Sequence, residues 1–127
     1  MIKIEGESIE EILNWSEQEF DQLVLIDKPI VVKIGSGEVL GQFTIREKTL
    51  VIELAQIDGG GEGVLPTINK IAKHISITKS IRSIEYIVNA INCAKPNLKL
   101  RAFLERMEFE IKDIPNKGEA YYKKIEL

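Results

Sequence analysis

Gln56-Ile57-Asp58-Gly59-Gly60-Gly61 is the stretch that decides the fold, because the hydrophobic period changes across it. Before it, Thr49–Ile57 is rich in Val, Ile and Leu and reads as a strand. After it, Val64, Leu65, Ile68, Ile71, Ala72 and Ile75 recur at helical spacing, which predicts an amphipathic helix over 63–76. Pro66 is expected near the first turn of that helix, where a missing N–H is tolerated. Glycine allows positive φ and lets a ligand approach the backbone closely. The first N–H groups of a helix lack internal partners and sit at the positive end of its dipole. A pyrophosphate suits that arrangement. The competing reading is a plain flexible connection, and the carboxylates of Asp58 and Glu62 favour it by opposing an anion. Neither standard nucleotide motif applies. Glu62-Gly63-Val64 stands where a triphosphate loop needs lysine and a hydroxyl, and no parallel βαβ start precedes the glycines.

Outward from the turn, short elements follow one another. Residues 1–5 alternate as a short strand would, and Ser8/Glu11 and Ser16/Glu19 both have capping-box spacing, predicting two short helices, or one bent helix, over 8–25. Ile30–Ile34, Val39–Arg46 and Thr49–Ile57 form three strands with short connections, hence an antiparallel meander. Ile81–Val88 is a further strand. The helical connection from Ile57 to Ile81 makes those two strands parallel neighbours. Asn97 is a suitable N-cap for a helix carrying Leu98, Leu100, Phe103, Leu104 and Met107, and Phe109–Ile114 and Glu119–Leu127 close the chain as strands. The expected architecture is one α/β (α+β) domain over residues 1–127. It has a mixed, mostly antiparallel sheet of about seven strands with helices on both faces.

Composition narrows the function. Seventeen Lys and Arg against 20 Asp and Glu give a net charge of -3, without the basic stripe of a nucleic-acid binder. The single Cys93 and single His74 cannot build a usual zinc site or an internal disulfide, so no metal is expected. His74 falls on the polar side of its helix and reads as solvated. The N-terminal residues lack a signal-peptide core and no stretch is long enough to span a membrane, so a cytoplasmic protein is expected.

The strand order and the turn together resemble the GNAT superfamily of acyl-CoA-dependent N-acyltransferases. That family carries Q/R-x-x-G-x-G/A after its fourth strand, and Gln56 to Gly61 fit it residue by residue. Gly37 to Phe43 resemble its second-to-third strand turn, and Asn97 to Phe109 resemble its N-x-x-A-x-x-L-Y-x-x-x-G-F segment. The resemblance implies acetyl-CoA or another acyl-CoA as cosubstrate and an amine of a small molecule or protein as acceptor. It places the cofactor on Gln56, Ile57, Gly59, Gly60, Gly61, Glu62 and Gly63, with Asn97 beside the pantetheine arm and that arm between the two parallel strands. The family's tyrosine, the usual proton donor to the thiolate, aligns with Leu104; its glycine aligns with Glu108 and its small residue with Leu100.

Glu53 lies where the family often recruits a base, although its alternation with Ile52 and Leu54 and ordinary burial preferences favour an outward strand carboxylate. Tyr121 and Tyr122 on the last strand are candidates for the missing acid, with Tyr86 behind them and aromatic packing as the alternative. A catalytically degenerate domain that binds acyl-CoA, or a protein-interaction module, is the competing function. The last strand is expected at the sheet edge, where it could pair across a homodimer.

Overall fold

The helical region opens as the spacing requires. In the computed structural model, which describes residues 2–4, 7–26, 28–34, 37–58, 61–89, 98–116 and 118–127, the Ser16 hydroxyl accepts the Glu19 N–H at 3.2 Å. The Glu19 carboxylate returns to the Ser16 N–H at 3.1 Å and completes a capping box. The elements run β1 (Ile2–Ile4), β2 (Glu7–Ser8), α1 (Ile9–Leu13), α2 (Glu17–Leu23), β3 (Ile30–Ile34) and β4 (Gly37–Arg46). They continue with β5 (Thr49–Asp58), α3 (Gly61–Lys79), β6 (Ser83–Val88), α4 (Leu98–Arg106), β7 (Glu110–Ile114) and β8 (Gly118–Glu126).

Among the described residues one sheet holds the strands in the order β2-β1-β3-β4-β5-β6-β8-β7. β5 and β6 are parallel, in register from Thr49↔Ser83 to Leu54↔Val88, and every other pair is antiparallel. Of the eight strands, β1 and β2 are only three and two residues long, so the body of the sheet matches expectation. The order corrects one expectation. β8 lies between β6 and β7, so the last strand is not an edge; β7 is.

The two faces of the sheet differ sharply. Leu50, Ile52 and Leu54 of β5 are fully buried with Phe43, Ile84, Tyr86 and Val88. The same cluster holds Phe20 and Val24 at α2, Ile68, Ile71, Ala72 and Ile75 of α3, and Leu104 of α4. These three helices therefore share one face, and α1 also lies against α3. Helices on both faces were expected. The opposite face carries Gln42, Thr44 and Glu53 between its apolar residues, and Val51, Ile87 and Ala120 are its buried apolar residues among those described. That surface is too polar and discontinuous to hold a helix by apolar burial.

Local chemistry explains where the helices stop. α3 runs longer than the 63–76 expected, to Lys79. Ser80 then takes φ 56°, and the Ile81 N–H returns to the Ser76 carbonyl at 2.9 Å. α4 ends alike: Glu108 takes φ 65° and the Phe109 N–H reaches the Leu104 carbonyl at 3.0 Å. Pro66 lies inside α3, beyond its first turn, so the Glu62 carbonyl loses its usual helical donor. His74, expected to be solvated, is half-buried with its ring 5.3 Å from that of Phe20.

Candidate functional site

β5 is longer than its parallel neighbour, and the site begins where the two part. Their register ends at Leu54↔Val88, and the Asn89 N–H closes it on the Leu54 carbonyl at 2.8 Å. β5 runs on through Ala55, Gln56, Ile57 and Asp58 with β4 as its described strand neighbour. Glu38 pairs with Asp58 and Leu40 with Ala55, so β5 carries one extra residue there. Such a bulge bends a strand and raises its twist, which suits a strand leaving its neighbour.

The strand is followed by α3, whose first residues are Gly61, Glu62 and Gly63. Their N–H groups are among those a helix leaves without internal partners. The strand-to-helix handover expected from the sequence is therefore present, with Gln56 and Ile57 on β5 and Gly61, Glu62 and Gly63 in the first turn. Gly59, Gly60 and Asn97 lie outside the described residues. An extended arm fits the side of β5 that has no strand neighbour among the described residues, and a pyrophosphate fits the helix start.

The three candidate catalytic side chains are split between the faces. Glu53 is level with Ile87, and Ile87 with Tyr122, so Glu53 and Tyr122 share a row and a face. Two strand spacings separate them, roughly 10 Å between backbones. Tyr121 points to the helix face, buried in the core, with its hydroxyl 3.4 Å from Glu105. It cannot act beside Glu53.

Glu53 is half-buried at the fork, and the Asn89 side-chain amide donates to its carboxylate at 3.2 Å. Glu53 is thus a strand carboxylate on the open face with Asn89 as a hydrogen-bond partner. A cavity of about 360 Å³ on that face brings Glu53 together with Glu85, Arg46, Gln42 and Thr44, rimmed by Pro115 and Asn116. The Tyr122 hydroxyl donates to Glu85 at 2.6 Å. Desolvation and the Glu85 carboxylate push that phenol up to about 12, so it keeps its proton at neutral pH. On the helix face, burial also pushes the Tyr86 phenol up, and its hydroxyl donates to Asn69 at 2.9 Å. Glu85 and Asn89 were not singled out in the sequence. The alternation of Glu85 with Ile84 and Tyr86 marks its face, whereas nothing local marks Asn89. Leu104, which the sequence resemblance aligns with the family's tyrosine, has no exposed surface.

No protein-family model and no curated protein matches the sequence. Among solved structures, the chain is similar to PaiA N-acetyltransferase from Thermoplasma acidophilum in complex with coenzyme A. The TM-score is 0.48 and the identity 14%, covering 98% of this chain and 99% of that one. For the Campylobacter jejuni N-acetyltransferase PseH in complex with acetyl coenzyme A the TM-score is 0.44 and the identity 18%, covering 99% of each chain. For an acetyltransferase of the GNAT family from Listeria monocytogenes they are 0.41 and 15%, covering 94% of this chain and 78% of that one. Likeness at this level carries no residue-level correspondence. The element order and the forked parallel pair are those that the sequence resemblance implies.

Among the described residues no three His, Cys, Asp or Glu side chains converge, and no helix is long and apolar enough to cross a membrane.

Proposed function

We propose that this chain binds an acyl-CoA at the β5/β6 fork and transfers its acyl group to an amine. The observation that carries the reading is the fork itself. β5 continues past Leu54 with one side unpaired among the described residues and delivers the chain into the α3 N-terminus. The pantetheine amides would pair with the backbone of Ala55 to Asp58, as an added strand would. The pyrophosphate would take the N–H groups at Gly61 to Gly63, with Gly59, Gly60 and Asn97 completing the contacts that the resemblance implies.

The amine nitrogen attacks the thioester carbonyl, forming the new C–N bond. The tetrahedral intermediate then expels the thiolate and leaves an amide. Glu53 takes the proton the amine must lose, because it is the carboxylate fixed at the fork. The thiolate is a fair leaving group, so protonation from water suffices. Tyr122 is the phenol on the same face, but Glu85 holds its proton tightly. A domain that binds acyl-CoA without turnover is the second reading, favoured by the buried Leu104 where the family places its acid.

Melting with and without excess acetyl-CoA tests the binding step, because a ligand of the native state raises Tm. An upward shift that Gly61→Val abolishes supports the fork site, and an unchanged midpoint sinks both readings. Thiol release across a panel of amines separates them: release supports transfer, and a shift without release leaves a binding domain.

A further inference from the structure

A second cavity lies on the helix face, away from the open face that carries Glu53. It occupies about 240 Å³ between α3, α4 and strands β6 and β8. Its walls are the rings of Tyr86, Phe103 and Phe109 with Pro66, Met107 and Ile125. An apolar cavity of about 150 Å³ accepts benzene, so this one has room for a ring and a short chain.

Two polar groups face this apolar space. Asn69 spends its side-chain oxygen on the Tyr86 hydroxyl at 2.9 Å, which leaves its amide N–H groups to donate. Among the described residues, Lys123 is the one charged member of the lining. Its ammonium reaches the Met107 carbonyl at 2.6 Å and lies 5.8 Å from the Phe109 ring centre, so two of its three donors remain for another acceptor. No carboxylate of the described residues lines the cavity to neutralise it. Met107 keeps 45% of its surface exposed, so the mouth is itself apolar.

We propose that this cavity is a binding site for a small apolar carboxylic acid. The body fills the aromatic pocket, and the carboxylate sits at the mouth between the Lys123 ammonium and the Asn69 amide. Aromatic walls, the remaining Asn69 and Lys123 donors and a single positive charge select an anion over a neutral or cationic ligand of the same shape.

Calorimetry on the full chain with phenylbutyrate and its neutral twin phenylbutyramide tests this. The acid is expected to bind roughly tenfold tighter than the amide, the worth of one charge-assisted hydrogen bond. Lys123→Gln is expected to erase that difference while leaving amide binding in place. In methyl-labelled protein the Met107 resonance should move on adding the acid. Equal affinity for acid and amide, absence of binding by both, an acid preference that survives Lys123→Gln, or a motionless Met107 signal would each overturn the proposal.

Discussion

The Asn89 amide holds the Glu53 carboxylate at 3.2 Å, one residue from the point where β5 and β6 separate. A carboxylate fixed there can receive an amine's proton without first reorganising. Glu53→Gln keeps the shape and loses the base. Its thiol-release rate is expected to fall about 100-fold or more, the usual range for a positioned general base. The acetyl-CoA melting shift should persist, because this substitution leaves the β5 backbone and the α3 start untouched. Unchanged turnover would remove Glu53 from the mechanism.

Lys79 ties the end of α3 to α2, reaching Asp21 at 2.7 Å and Glu17 at 2.9 Å. Asp21, and then Glu17, hold its ammonium above the ordinary 10.5. Both carboxylates are about half exposed, so solvent weakens the pairs, and Lys79→Met should cost only about 0.5–1 kcal/mol at neutral pH. A lysine whose folded pKa is raised stabilises fully below its unfolded pKa and loses that contribution as pH rises through the folded one. The gap between wild type and variant in urea melts should stay level from pH 7 to about 10 and then close. A gap that widens with pH would contradict the assignment.

The sequence carries the element order, the parallel pair and the Ser16 cap because each depends on local spacing and short connections. The faces were harder to read. Alternation along β5 separates Leu50, Ile52 and Leu54 from Val51 and Glu53, but only packing shows that α2, α3 and α4 all choose the first set. The site was legible in its backbone, as the strand running into glycines, and in Glu53. Its side-chain partners were not. Asn89 reaches Glu53 from 36 positions away, and Tyr121 and Tyr122 look alike until the β6–β8 register sends them to opposite faces.

Glu108 shows why the resembled segment calls for glycine. Its φ of 65° lies in the left-handed region, where a Cβ crowds the following carbonyl. Glu108→Gly should therefore stabilise the protein by about 1 kcal/mol, the relief at a helix C-terminus exceeding the extra freedom of the unfolded glycine. A lower urea midpoint for the variant would mean that the Glu108 side chain supplies more than the strain costs.

Leu104, which the sequence resemblance aligns with a family tyrosine, belongs to the core, with no exposed surface. Restoring a phenol there would not restore an acid. Leu104→Tyr must fit a larger ring and a hydroxyl into a filled cluster, which should cost about 1–3 kcal/mol. Thiol release should not rise. An undamaged Leu104→Tyr protein that releases thiol faster than the unaltered one would show that this position borders the reaction site.

The three tyrosines give a spectroscopic test of the whole arrangement. All three are held above the ordinary 10: Tyr86 by burial, Tyr121 by burial and then Glu105, and Tyr122, at about 12, by burial and then Glu85. At pH 10 the native protein should show less tyrosinate absorbance than the urea-unfolded chain, whose tyrosines should be about half ionised. Between pH 10 and 12 the native state then holds more protons than the unfolded one, so stability must fall as pH rises. Glu85→Gln removes the carboxylate facing Tyr122 and should move one phenol of the three down toward 10, leaving the other two in place. A tyrosine titration that Glu85→Gln leaves unchanged would show that Tyr122 is not held by Glu85.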